Sequence, residues 1–458
     1  MTYEEFLISK QKTIKPSGFD CTPVNKYMFD FQRDITKWSL KKGKSANFLD
    51  TGLGKTIIQL VWADEICKQT NGKVLILAPL AVSKQTIREG SKFGIEVNPC
   101  RSQIDVKDGI NITNYEMLQH FNTSEFVGVV MDESSIIKSF SGKTTQQMLE
   151  LFKHTPYKSA YTATPSPNDF TEIGNHAEFL GVMSRSEMLA TYFVHDSGDT
   201  AKWRLKGHAE TEFWKWIASW AMVVKNPEDL GYDGSKYKLP KLNIKTHFVE
   251  SPNTQNMFIT LPAQTLDERR EARKESLQDR VAKAAEIAQD TDNCLIWCDY
   301  NDESTALTKA ISGAVEVKGA DKPEHKENAL IGFATGDVKY LVTKPKIAGF
   351  GMNWQNCHDM IFCGLSDSYE RFYQAIRRCY RFGQTEEVNV HVIISEREIS
   401  VLENIKRKEE QAQKMSSSMV ALTSEILRNE IKNTTRNVIT YNPKQEIEIP
   451  NWLNGEVI

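Results

Sequence analysis

Two sets of short runs, each rich in β-branched and apolar residues and separated by helix-length segments, limit what this chain can fold into. The first set is 46–49, 74–78, 109–113, 126–131 and 158–162; the second is 293–298, 315–317, 338–342, 360–363 and 388–394. Near-continuous apolar strands suit a sheet covered on both faces, and strands joined by helices favour parallel order. The chain therefore reads as two α/β units in tandem. Its 458 residues leave room, at roughly 150 residues per domain, for about three structural units.

Residues 181–262 break the rhythm, with Trp203, Trp214, Trp216 and Trp220 followed by the turn-forming Asn226-Pro-Glu-Asp-Leu-Gly231. Phe213, Trp216, Ile217 and Trp220 share one helical face, and large aromatics so spaced are more often core than a base-stacking surface. The expectation is a helical insertion with a small core of its own, then a connector. From Asp267 to Lys283 the charges alternate at helical spacing, as on a solvated helix face. After Ser395 the pattern turns helical, with Met415, Met419, Leu422 and Ile426 as a stripe that should pack back on a domain. The expected units are 1–180, 181–262, 263–396 and 397–458.

With 57 Lys+Arg against 60 Asp+Glu, the net charge of −3 excludes a uniformly basic coat or a polybasic membrane anchor, so any nucleic-acid surface must be local. The eight Cys include no C-x-x-C pair, which favours free thiols in a reducing compartment over zinc or a disulfide framework. The histidines show no ligand spacing and receive no metal role. The chain opens on Met1-Thr-Tyr-Glu-Glu-Phe, with acids where a secretory leader has cations, and no apolar run reaches the ~18 residues of a membrane span. A cytoplasmic protein without membrane attachment is expected.

Chemistry concentrates first at Thr51-Gly52-Leu53-Gly54-Lys55-Thr56, between a short strand and a helical run. Glycines let backbone N–H groups close around phosphate oxygens at a helix N-terminus, while Lys55 reaches the terminal phosphates and Thr56 ligates Mg²⁺. Leu49 stands where the strict phosphate-loop pattern has its first glycine, so the motif needs partners. One is the apolar strand ending in Asp132-Glu133. There Asp132 can hold Mg²⁺ through water and Glu133 can orient or deprotonate an attacking water; a chance surface turn is the competing reading. Gly142-Lys-Thr144 repeats the tripeptide without a preceding strand or second glycine and reads as a loop. The other partner is the stretch from Gln374 to Gln384, in which Gln374, Arg378 and Arg381 fall on one helical face. Cations packed this densely suit a phosphoryl group that they neutralise; a solvated basic helix is the alternative.

Taken in order, these segments resemble the motifs of superfamily 2 helicases and translocases, nearest to the Swi/Snf-like branch and to compact DEAD/DEAH-box-type helicases of bacteriophages. The resemblance spans roughly residues 25–400: Thr51–Thr56 is similar to motif I, Ala78-Pro79-Leu-Ala-Val82 to motif Ia, Asp132–Ser135 to motif II, Thr162-Ala-Thr164-Pro to motif III, Gly349-Phe-Gly351-Met-Asn353 to motif V and Gln374–Gln384 to motif VI. Motif II reads Asp-Glu-Ser-Ser and lacks the usual histidine, and Trp354-Gln355 follows motif V where the remodeller branch prefers Leu.

The resemblance implies two RecA-like domains with parallel sheets, a helical insertion and a helical C-terminal tail. It implies ATP and Mg²⁺ as cofactors, with Gln32 reading adenine, Gly351 in the nucleotide site, and Arg378 and Arg381 as arginine fingers. Thr162, Thr164 and Gln374 would couple hydrolysis to domain closure. Pro79, Asn114, Tyr115, Lys344 and Lys346 would touch the nucleic-acid backbone. The implied activity is ATP-driven movement on nucleic acid, DNA favoured over RNA, by a monomer with room for a protein partner, in the host cytoplasm if the chain is viral. An ATP-switched binding or assembly protein, and a duplex translocase that does not separate strands, stand as alternatives.

Overall fold

The computed structural model describes residues 16–167, 169–196, 199–250, 265–348 and 353–431. Two all-parallel sheets organise them. The first has seven strands in the order β3-β4-β2-β5-β6-β1-β9: β1 Lys44–Leu49, β2 Lys73–Ala78, β3 Val97–Pro99, β4 Ile110–Asn114, β5 Phe126–Asp132, β6 Tyr157–Thr162 and β9 Ala221–Val224. An antiparallel hairpin, β7 Phe193–Asp196 and β8 Asp199–Leu205, stands apart from it. The second sheet has six strands in the order β10-β15-β14-β11-β13-β12: β10 Leu242–Val249, β11 Cys294–Trp297, β12 Ala314–Glu316, β13 Tyr340–Thr343, β14 Asp359–Cys363 and β15 Val388–Ser395. The expected class, two parallel-sheet α/β units with a long C-terminal helix, is the observed one.

Alternation of side chains across each strand divides the first core in two. Phe48, Leu75, Leu77, Val129 and Met131 point to one face, whereas Leu49, Val74, Ile76 and Val130 point to the other. Each fully buried aliphatic side chain contributes about 1.5–3 kcal/mol, so a sheet buried on both faces is firmly anchored.

The Trp-rich segment does not form a core of its own. Its helices Arg185–Tyr192 and Glu210–Ala218 are present, but Phe213, Trp214, Trp216, Ile217 and Trp220 belong to the same apolar cluster as Phe48 and Met131. The run Ala221–Val224 then pairs in parallel with β1, so much of the expected insertion belongs to the first unit. Leu242–Val249 leaves the connector and pairs with β15 at the edge of the second sheet. Ile244, Lys245 and Phe248 are exposed and the remaining side chains only half-buried, so this edge strand lacks the continuous buried apolar run of the interior strands.

Two further expectations change. The alternating-charge stretch is not uniformly solvated: Arg273 and Arg280 are buried, with Arg273 paired to Glu303 and Asp299 and Arg280 to Glu303. Burial of a cation is tolerated where carboxylates and carbonyls match its donors, and the Cys363 carbonyl supplies one more acceptor. The stripe on the C-terminal helix is also shifted. Met415, Met419, Thr423 and Leu427 are buried, whereas Leu422 and Ile426 are exposed. Thr423 fits there because its hydroxyl bonds the Met419 carbonyl.

That helix, Ile399–Ile431, joins the two units. Val401, Leu402 and Ile405 lie in the second core, and Met415, Met419 and Leu427 in the two faces of the first. Arg428 donates to the carbonyls of Glu228 and Asp229, and Glu430 pairs with Lys42 and accepts from Trp38. Cys21 and Cys67 are half-buried and the other six cysteines are buried and free. Among the described residues no helix is long and apolar enough to cross a membrane.

Candidate active site

The phosphate-loop segment leaves the C-terminal end of β1 and turns into the helix Lys55–Thr70. Gly52 and Gly54 carry φ of +88° and +81°, a region that L side chains rarely adopt, and Gly54 caps the helix. A Cβ at Gly52 would lie 2.7 Å from Phe382 of the second unit, and one at Gly54 would strike the Gln32 amide. Gln32 accepts the Phe29 N–H at 2.9 Å and donates to the Leu53 carbonyl at 2.9 Å, so its amide braces the loop. Leu53 is buried, and Thr51 and Thr56 are half-buried. Lys55 Nζ donates to the carbonyls of Leu49 and Asp50 at 3.1 and 3.3 Å. Burial pulls its ammonium below the usual lysine range, against the attraction of Glu133, Asp50 and Asp132.

Asp132 ends β5 and Glu133 follows in a left-handed conformation, φ 51° and ψ 52°. A non-glycine residue held there is strained by about 1 kcal/mol, and such strain gathers at functional sites. Burial, followed by the Glu133 charge, raises the Asp132 carboxyl to about 7. Burial likewise pushes Glu133 upward, against Lys55 and Arg378, while the hydroxyl of Thr162 bonds it. One carboxylate oxygen of Glu133 is buried without a hydrogen-bond partner. Two neighbouring acids withdrawn from water, one with an unsatisfied oxygen, fit a divalent cation and a polar reactant. With the glycine turn and Lys55 beside them, these residues fit Mg²⁺ and a nucleoside triphosphate.

The second unit closes the other side. The helix Tyr369–Ile376 and the turn after it carry Gln374, Arg378 and Arg381. Arg378 donates to the Gln374 carbonyl at 3.0 Å and to its side-chain oxygen at 3.2 Å. Burial lowers the Arg378 guanidinium to about 10, with Arg381 adding repulsion and Glu133 opposing. Burial also lowers Arg381. Lys138, five residues beyond Glu133, pairs across the cleft with Glu370. On the outer surface Lys84 and Arg88 meet Glu327 at 3.0 and 2.8 Å.

The expected residues do not all converge. Gln32, the glycine turn, Asp132, Glu133, Thr162, Gln374, Arg378 and Arg381 gather around the cleft. Thr164 is buried, its backbone N–H on the Thr162 hydroxyl. Tyr115 is buried and donates to the Asp132 carbonyl at 2.6 Å, so it supports the acidic strand end and presents no surface to a backbone phosphate. Asn114 caps the following turn by accepting from Met117 N–H. Pro79 caps the helix Leu80–Phe93. Lys344 donates to Asn301 at 2.6 Å, and Lys346 is exposed beside Arg269, Arg270 and Arg371 on a cavity of about 230 Å³. Gly351 lies outside the described residues. Gly142-Lys-Thr144 opens the helix Lys143–Leu151, a helical start in place of the expected loop.

Sequence reasoning missed Asp50, Tyr373 and Arg377. Arg377 Nη2 lies 3.1 Å from Asp50 Oδ2, and the Tyr373 hydroxyl donates to Asp50 Oδ1 at 2.6 Å. Both sides lie within or beside recognised motifs, but nothing local pairs them. His176 was also missed: its Nε2 stands 3.0 Å from the Ser134 hydroxyl.

No curated relative matches the chain. A solved structure described as the Sulfolobus solfataricus SWI2/SNF2 ATPase core in complex with dsDNA aligns with 21% identity over 91% of this chain and 98% of that one, at a TM-score of 0.41. Residues 277–383 match the family "Helicase conserved C-terminal domain". The part of the second unit that supplies Gln374, Arg378 and Arg381 is therefore similar to that domain.

Proposed function

We propose that this protein is an ATP-driven motor of superfamily 2, Swi/Snf-like, moving on DNA, duplex or branched, in phage replication, recombination or repair. The observation that carries the reading is the composition of the cleft: Lys55, Asp132 and Glu133 from the first unit face Arg378 and Arg381 from the second. The match of residues 277–383 to a helicase domain supports it independently.

In this reading the N–H groups of Gly52–Thr56 and Lys55 hold the phosphates, and Gln32 with the loop bounds the base. Thr56 and Asp132 would hold Mg²⁺, which neutralises charge on the transferring group when bound. Glu133 takes a proton from water as the water oxygen bonds the terminal phosphorus and the bridging P–O bond breaks. Arg378 and Arg381 stabilise the charge moving onto the leaving oxygen. Because they belong to the second unit, hydrolysis is tied to closure, and Thr162, Thr164 and Gln374 transmit it. Pro79, Asn114, Lys344 and Lys346 remain the proposed backbone contacts, with Tyr115 behind them.

The test is steady-state ATPase activity of the wild type and Arg381→Ala at fixed salt, without polymer and with single-stranded DNA, blunt duplex, forked DNA and structured RNA. Stimulation by DNA that disappears in Arg381→Ala is the expected result. Hydrolysis indifferent to every polymer would overturn the motor and leave the ATP-switched assembly protein.

A further inference from the structure

We propose that Arg377 and Tyr373, acting on Asp50, are positioning residues through which the second unit sets the shape of the phosphate loop. Arg377 and Arg378 are adjacent in sequence but act on different groups. Arg378 is coupled to Glu133, whereas Arg377 reaches the Asp50 carboxylate. Its guanidinium lies 5.0 and 5.4 Å from the ring centres of Tyr373 and Tyr380, and the Tyr380 hydroxyl is fixed on the Pro240 carbonyl at 2.9 Å. The cation is thus held by two aromatic faces before it meets the carboxylate.

Asp50 is placed to pass that grip on. Its N–H bonds Val224 of β9, its carboxylate accepts the Thr51 N–H at 2.6 Å, and its carbonyl accepts Lys55 Nζ at 3.3 Å. One residue therefore touches the edge of the first sheet, the opening of the glycine turn, the loop lysine and the second unit. Separation of the units would take Arg377 and Tyr373 from this carboxylate and leave only the Thr51 N–H and the nearby Lys55 to offset its charge, so the loop and the cleft must adjust together. Whereas Arg378 acts on Glu133, Arg377 pairs with Asp50. Its effect should fall on nucleotide binding more than on the bond-breaking step.

The inference rests on the proposed ATP site, and its test separates the two. Binding of a non-hydrolysable ATP analogue and steady-state kinetics are measured for wild type, Arg377→Gln, Asp50→Asn, the double variant, Arg377→Lys and Tyr373→Phe, with thermal melting to show that each is folded. Arg377→Gln should raise KM and the analogue Kd about tenfold while kcat falls less. The double variant should be no worse than the more affected single one, because the stranded charge is gone. Arg377→Lys should recover part of the loss, and Tyr373→Phe, which removes one O–H, should shift KM in the same direction by less. If the wild type binds and hydrolyses ATP but Arg377→Gln leaves KM unchanged, or if the two substitutions act independently, the positioning role falls and the ATP site stands. If the wild type binds no nucleotide, both fall.

Discussion

The hydroxyl of Ser134 and Nε2 of His176 lie 3.0 Å apart, one residue beyond Glu133. His176 is fully buried and meets the Phe48 ring edge to face, with centroids 5.2 Å apart. Its helix, Ile173–Leu180, is also tied to the loop after the acidic pair, where Asn175 donates to the carbonyls of Ile137 and Lys138. The histidine absent from motif II is thus matched by another that steadies the same loop from within the first unit.

Burial depresses the His176 imidazole to about 3, which gives stability a pH dependence. The unfolded chain binds a proton near pH 6.5 that the folded chain refuses. Above that pH the group contributes no slope; as pH falls toward 3 it removes about 1.4 kcal/mol per unit. His176→Asn should lower stability at pH 7 and lose less than wild type on going to pH 5. Urea midpoints at the two pH values check this, and parallel losses would exclude the histidine as the source.

Glu133→Gln keeps the volume of the side chain and removes the base. Hydrolysis should fall by about 10²–10⁴-fold while analogue binding stays within a few-fold of wild type. Single-turnover hydrolysis beside equilibrium binding is the measurement. A variant that still turns over at more than a tenth of the wild-type rate would remove Glu133 from the chemistry.

Trp220 is fully buried and packs edge to face on Phe48, with centroids 6.3 Å apart. Trp220→Ala should cost about 3–5 kcal/mol of stability, as expected for an aromatic residue lost from a packed core. Single-strand affinity of the folded fraction should be unchanged. Loss of affinity at full stability would restore the base-stacking reading of this tryptophan.

The helix Ile399–Ile431 has its two ends in different cores, and Met419→Ala should release one end only. Hydrogen exchange over 415–431 should accelerate while 399–405 stays protected, since Val401, Leu402 and Ile405 remain in the second core. Uniform acceleration along the helix would mean that it does not anchor the units separately.

Much of this protein was set by local pattern. Apolar runs such as Val74–Ala78 and Met360–Cys363 can satisfy both their backbone and their side chains only inside covered parallel sheets, and that is where they lie. The glycines at 52 and 54 allow the left-handed turn before a helix. A strand ending in two acids likewise carries its chemistry in residue type and spacing. The run of Gln and Arg does so in residue type, although its helix ends at Ile376 and Arg378 and Arg381 stand in the turn after it instead of on one helical face.

Tertiary structure decided what depends on neighbours distant in the chain. Ala221–Val224 became a strand because the edge of β1 was open to it, and the tryptophans before it joined the large core because that core presented more apolar surface than a small insertion could. Arg273 and Arg280 went inside because Glu303 was there to meet them. Asp50 and Arg377, 327 positions apart, became partners only when two domains met. Periodicity records which face of an element seeks burial, whereas the match of opposite charges across a cleft is a property of the folded geometry, which no local spacing encodes.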